Sequence, residues 1–169
     1  CRDILGQLSR SREAEDIVHA NMPLSSLVEE AAAPFKGLGV TLNVTWSAGE
    51  RGEARTPLIR RSPEVLHALG AFIENAVSFA DSQVRAVASW TGHQFMVTIT
   101  DDGPGFAPDV LAQIGVPFMN RRNRMDRDKG GGPRRGLFIA KTLLELSGPS
   151  LRFSNKQAPW GGARVKVSW

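Results

Sequence analysis

Apolar residues recur along this chain with two different periods, and the periods predict different elements. Val40 to Trp46 alternates apolar with polar and reads as a strand, as do Gln83 to Trp90 and Gln94 to Thr100. Thr91-Gly92-His93 separates the last two and predicts a hairpin turn. Leu151 to Ser154 and Ala163 to Trp169 are further strands, with Gly161-Gly162 turning between them. Elsewhere the spacing is helical. Ile4, Leu5 and Leu8 make Cys1 to Arg12 the end of a helix, and Ser25-Ser26 is a cap for a short helix over Leu27 to Pro34. Ser62-Pro63-Glu64 joins a cap to a proline at the first helical position, and Leu66, Leu69, Ile73, Ala76 and Val77 continue that helix's apolar face. Pro108 to Ile114 predicts a short helix. Gly136 to Leu146 predicts a strong one, with Ile139, Leu143 and Leu146 on its apolar side. Gly49 to Pro57 reads as a polar turn or hairpin loop. Gly115 to Arg134 is charged, aperiodic and glycine-rich, and is expected to be a mobile loop. The sum is an α/β fold, a two-layer sandwich with a mixed sheet and helices on one face.

Composition narrows the class without naming a chemistry. A chain of 169 residues with 41% hydrophobic and 22% charged content suits one globular domain. No apolar run is long enough to span a bilayer. A single cysteine excludes an internal disulfide framework and a multi-cysteine metal site, and fits a reducing compartment. The net charge of +4 raises the question of nucleic acid. Residues 121 to 135 alone carry +5, which leaves −1 for all the rest, so the basicity is local and lies in the glycine-rich loop. Phosphate on a small ligand accounts for it, and no recognition helix, zinc spacing or aromatic RNA-binding motif is present.

Three stretches carry candidate chemistry. Asn75, in Glu74-Asn75-Ala76, sits on the predicted helix, where an amide oxygen can ligate Mg²⁺ or simply bond within the fold. Glu74 lies about 100° further around that helix. Asp101-Asp102-Gly103-Pro104-Gly105-Phe106 follows a strand and begins 26 residues after Asn75. Asp101 can accept a hydrogen bond from an amine. Gly103 and Gly105 let the backbone turn and approach a ligand, although a tight turn with a capping aspartate has the same appearance. Asp101 and Asp102 point in different directions and do not make a hydrolytic pair. Gly130 to Gly132 precedes a helix start, where free N–H groups favour phosphate, and Arg134 and Arg135 are either phosphate clamps or solvated residues. The pattern is neither a P-loop nor a dinucleotide fingerprint. His19, His67 and His93 have no catalytic partner in sequence.

Taken in order, these motifs resemble the catalytic and ATP-binding domain of bacterial sensor histidine kinases, within the superfamily of gyrase-, Hsp90- and MutL-type ATPases. Glu74-Asn75-Ala76 is similar to the N box, Asp101-x-Gly103-x-Gly105 to the G1 box and Val116-Pro117-Phe118 to the F box. Gly132 to Lys141 occupies the place of the G2 box. Cys1-Arg2-Asp3-Ile4-Leu5, Gly136 to Glu145 and Trp160-Gly161-Gly162-Ala163 resemble the RegB/PrrB family of membrane-anchored, redox-responsive kinases. The resemblance implies a Bergerat-type ATP-binding fold over residues 13–169, with residues 1–12 ending an upstream dimerisation helix. It implies Mg²⁺ and ATP as cofactors, with Asn75 as catalytic and metal-binding residue. The nucleotide-binding set is Asn75, Asp101, Gly103, Gly105, Gly132, Arg134, Gly136 and Leu137.

It further implies transfer of the γ-phosphate to a histidine outside this chain, a response regulator as downstream partner, and a cytoplasmic domain of an inner-membrane protein. Cys1 matches a cysteine of redox control or is an ordinary helix residue. No residue matches the phosphoacceptor, so the chain is expected to be monomeric or weakly dimeric, with no nucleic-acid partner. The G2 stretch departs from the family's Gly-x-Gly-Leu-Gly-Leu, because Arg134 and Arg135 stand where a glycine and a leucine are usual. Either the lid is weakened, giving a degenerate signalling module, or the guanidinium groups replace lost backbone donors. Ala71 stands where ATP-hydrolysing members carry their general base, which argues against efficient hydrolysis.

Overall fold

Period-2 patterning produces the sheet. The computed structural model describes residues 21–48, 56–92, 94–114, 133–157, 159 and 161–169, without the side chains of 133–135. Five strands, β2 (Thr41–Ala48), β4 (Gln83–Trp90), β5 (Phe95–Asp101), β6 (Ser150–Asn155) and β7 (Ala163–Ser168), form one sheet in the order β2-β4-β5-β7-β6. β2 and β4 run parallel and every other pair is antiparallel, so the sheet is mixed. The registers align Val44, Ala86, Ile99, Val165 and Phe153 in one row across all five strands. Ala86, Ile99 and Val165 are buried there.

The opposite face carries Asn43, Arg85, Thr100, Arg164 and Ser154 in one row, and Thr45, Val87, Thr98, Lys166 and Arg152 in the next. That face is too polar to bury, which is why the described helices pack on the other one.

The helical layer consists of α1 (Leu24–Ala32), α2 (Pro63–Phe79), α3 (Pro108–Ile114) and α4 (Pro133–Leu146). Ser62 caps α2 as the sequence predicts, its Oγ accepting the Val65 N–H at 3.3 Å. α2 buries Val65, Ala68, Leu69, Phe72, Ile73 and Ala76 in the central core. On the described residues α1 starts earlier than expected, directly after Pro23 and with no side-chain cap, so Ser25 and Ser26 fall inside its first turn. A short 3-10 turn, Ala33–Phe35, follows it.

Two differences from the sequence reading have clear causes. β1 (Asn21–Pro23) and β3 (Leu58–Arg60) pair antiparallel in a separate two-stranded sheet, and three residues each are too few to show a period. The face of α4 is also rotated from expectation. Ile139 and Leu146 are 46% and 72% exposed, whereas Leu137, Ala140, Lys141 and Leu144 are buried. Lys141 tolerates that position because its Nζ lies 2.9 Å from Glu145 Oε1, one helical turn on. Of the loop expected over Gly115 to Arg134, Pro133 and Arg134 instead open α4, three residues before the expected start at Gly136, because a proline suits the first helical turn; residues 115–132 and the expected upstream helix lie outside the described residues.

Candidate functional site

β5 carries its alternation one residue further than the apolar residues do. Val97, Ile99 and Asp101 share the core-facing phase, so the strand ends by directing a carboxylate into the helical layer. Asp101 is 4% exposed. Its Oδ1 accepts the N–H groups of Gly103 at 2.9 Å and Ala163 at 3.1 Å. Burial pushes its pKa up; the two N–H bonds and the charge of Lys156 oppose that shift, and Asp102 adds to it.

Glycine is required around this carboxylate because backbone passes too close for a side chain. A Cβ on Gly103 would stand 2.0 Å from the Phe79 carbonyl oxygen at the end of α2. One on Gly162, where φ is +102°, would stand 2.1 Å from the Asp101 carbonyl oxygen. Gly105 has φ +83° and its Cβ would meet the Asn155 side chain at 2.8 Å.

Asp102 does different work, as its neighbouring position on the strand implies. Its Oδ1 accepts the N–H groups of Asp81, Ser82 and Gln83 at 2.9, 3.0 and 3.1 Å, and its Oδ2 accepts the Ser82 hydroxyl. Desolvation raises its pKa, but the bonds from Ser82, Gln83 and Asp81 outweigh that and hold it below the ordinary carboxylate range. Asp102 thus ties the start of β4 to the end of β5.

Between α2, the turn after β5 and α4 lies a cavity of about 160 Å³. Among the described residues, Asn75 and Asp101 are its polar side chains, and Phe79, Pro104, Gly105, Phe106, Ala107, Val110, Leu137 and Ala163 also line it. This is room for one planar base, below the several hundred Å³ of a typical whole-ligand pocket. A larger open groove, about 330 Å³, lies between α1 and α2 and includes Glu30, Phe35, Leu66, His67, Gly70 and Glu74. Size favours the groove, but the smaller cavity has the buried carboxylate, the bound backbone turn and the apolar walls, and we assign the chemistry there. Glu74 faces the groove and Asn75 the cavity, as the 100° step between neighbouring helix residues requires.

Of the residues singled out in sequence, Asn75, Asp101, Gly105 and Leu137 meet in this cavity, and Gly103 forms the turn beneath it. Gly136 is exposed and is not among the described residues that line it; a Cβ there would meet no described atom within 4 Å. Gly132 and the Arg134 side chain lie outside the described residues, as do Val116-Pro117-Phe118, His19, His93 and Cys1.

The backbone is not strained where Arg134 and Arg135 stand in place of the usual glycine and leucine. α4 already begins at Pro133, and no described non-glycine residue has positive φ. A proline in the first turn gives up an N–H that has no helical partner. Among the described residues no group of three His, Cys, Asp or Glu could hold a metal ion, and no helix is long and apolar enough to cross a membrane. Sequence reading missed Phe79 and Asn155. Gly162 stands in a turn and in a stretch that resembles the RegB/PrrB family, but nothing in the sequence signals its contact with Asp101.

This arrangement matches a known class. Residues 61–169 match the family model of histidine kinase-, DNA gyrase B- and HSP90-like ATPases, and the chain belongs to that family. It is similar to the sensor histidine kinase RegB of Cereibacter sphaeroides, at 38% identity over 182 aligned positions covering 100% of this chain and 39% of the relative. The sensor protein kinase CarS of Pseudomonas aeruginosa is 34% identical over 76% of this chain and 26% of its own length. The chain thus spans about two-fifths of the RegB relatives. In fold it resembles the histidine kinase domain of the E. coli osmosensor EnvZ, with TM-score 0.63 and 17% identity over 88% of this chain and 86% of that one. The mycobacterial sensor histidine kinase MprB gives TM-score 0.62 at 15% identity, over 88% and 94%. The α/β sandwich is therefore that of histidine kinase ATP-binding domains.

Proposed function

We propose that this chain is the catalytic ATP-binding domain of a two-component sensor histidine kinase, and that the cavity beneath α2 takes the adenine of Mg²⁺-ATP. The observation that carries the reading is the buried Asp101 carboxylate, pinned at Oδ1 in an apolar, base-sized cavity that also contains Asn75. Asp101 accepts a hydrogen bond from the adenine amino group while Phe79, Phe106, Val110 and Leu137 exclude water from the base. Asn75, on α2, offers an amide oxygen to Mg²⁺, which arrives with ATP as part of the substrate. The ribose and phosphates exceed the cavity, and the family resemblance assigns the phosphates to Gly132 and to Arg134 in the first turn of α4. Phosphoryl transfer then rests on positioning and charge neutralisation, with the γ-phosphate directed at a histidine supplied by another domain.

The likeness to RegB supports a wider assignment. The parent protein is membrane-anchored and redox-responsive, this domain is cytoplasmic, and a response regulator receives the phosphate. Arg134 and Arg135 sit in a helical turn without backbone strain, which weighs against the degenerate-module alternative, whose remaining support is the loss of the usual backbone donors. The test is transfer of labelled phosphate from Mg²⁺-ATP to a separately supplied dimerisation domain bearing the phosphoacceptor histidine. Labelling that disappears with Asn75→Ala supports the kinase. Tight ATP binding without transfer, restored by Arg134→Gly with Arg135→Leu, supports degeneration.

A further inference from the structure

Beyond the residues that line the cavity, the geometry points to Asn155 as a positioning residue for base recognition. It acts through the backbone of Phe106 and rests on the adenine assignment above. Asn155 ends β6, at the sheet edge, and does not line the cavity itself. Its side-chain amide brackets one residue: Oδ1 accepts the Phe106 N–H at 2.7 Å, and Nδ2 donates to the Phe106 carbonyl at 2.8 Å. An extended strand neighbour would make the same pair of bonds, so this side chain replaces a strand where β6 has ended. The bracket leaves no room for a side chain at residue 105, where a Cβ would stand 2.8 Å from Asn155 Oδ1. Phe106 is also held from β6 by Phe153, ring to ring edge-on at 5.8 Å, and Phe153 meets Phe72 of α2 in the same way at 5.7 Å.

Gly105 and Phe106 are cavity walls, whereas Asp101 is held by the N–H groups of Gly103 and of Ala163, the strand partner of Asn155, and not by the Asn155 side chain. Asn155 therefore fixes the wall relative to the carboxylate, and with it the place of the base against Asp101. When the wall is loosened, a base can drift from the carboxylate. The adenine amino group then loses part of its bond, and a 6-oxo base is repelled less. Asn155 thus sets the preference for adenine over hypoxanthine without touching either.

The test measures the affinities of the chain for Mg²⁺-ATP and for Mg²⁺-inosine triphosphate, in the parent and in Asn155→Ala, Asn155→Asp and Asp101→Asn. Circular dichroism monitors folding. Asn155→Ala is expected to bind ATP about tenfold more weakly, with a smaller loss for inosine triphosphate, so the selectivity ratio falls. Asn155→Asp keeps the acceptor for the Phe106 N–H and removes the donor. It provides the same readout if the alanine variant fails to fold. A variant that merely destabilised the chain would scale both affinities alike. Unchanged selectivity in the folded Asn155 variants, beside its loss in Asp101→Asn, overturns the role of Asn155 and leaves the adenine site standing. A parent without preference for ATP, or an Asp101→Asn protein that keeps it, overturns the adenine site and this inference together.

Discussion

Asp101→Asn should make this protein more stable and less able to bind ATP. The substitution is close to isosteric, and its Oδ1 still accepts the N–H groups of Gly103 and Ala163. What disappears is a buried negative charge whose pKa burial raises. The sign follows from linkage. A carboxyl with a raised folded-state pKa gives stability that is fully present below its unfolded pKa and lost as pH rises through the folded one. At neutral pH the ionised Asp101 therefore weakens the fold, and asparagine does not.

Binding moves the other way. The amide presents a donor or a neutral acceptor in place of a carboxylate, and a hydrogen bond to a charged group contributes about 1.5–3 kcal/mol. The affinity for Mg²⁺-ATP should fall by about 10- to 100-fold. Thermal unfolding of both proteins, with and without Mg²⁺-ATP, from neutral pH down through the carboxylate range, reads both effects. The variant should melt higher at neutral pH, the gap should narrow in acid, and its ATP-induced rise should shrink. A variant less stable than the parent at every pH, with an undiminished ATP shift, would refute the reasoning.

Other substitutions separate the turn from its surroundings. Gly103→Ala drives a Cβ into the Phe79 carbonyl and should cost about 2–3 kcal/mol in denaturant unfolding, with ATP binding lost as α2 and the turn separate. Among the described residues Gly136→Ala meets no neighbour, and it removes a glycine from α4, so it should stabilise by up to about 1 kcal/mol in denaturant unfolding. Asp102→Ala releases the bonds from Asp81, Ser82 and Gln83 and should cost about 1–2 kcal/mol after solvent screening. Because the folded-state pKa of Asp102 is lowered, that contribution is present above its unfolded pKa and lost in acid, so parent and variant should converge as pH falls through the folded value.

The strands were legible because alternation is written directly in the chain: β2, β4, β5, β6 and β7 all fall where it occurs. The phase of α4 was not. Counting apolar residues selects Ile139 and Leu146, while the buried face uses a small residue, Ala140, and an ion-paired Lys141. The core of the site was readable from Asp101, Gly103, Gly105 and Asn75 because each stands in a short local motif. Asn155 and Gly162 were not, since they act across the sheet. Asn155 bonds to a residue 49 positions away, and Gly162 precedes Ala163, whose partner Asp101 is 62 positions away. Charge summed by position placed the basicity in residues 121–135. Only the strand registers reveal that Arg85, Arg152, Arg164 and Lys166 also gather on the solvent face of the sheet.

The most direct test of the nucleotide site is an amide NMR titration of the chain with Mg²⁺-ATP. Shifts concentrated at Asn75, Asp101, Gly105, Phe106, Leu137 and Ala163 are expected, with the groove at Glu30, His67 and Gly70 unmoved. Shifts confined to that groove, or none in a folded chain, would contradict the assignment.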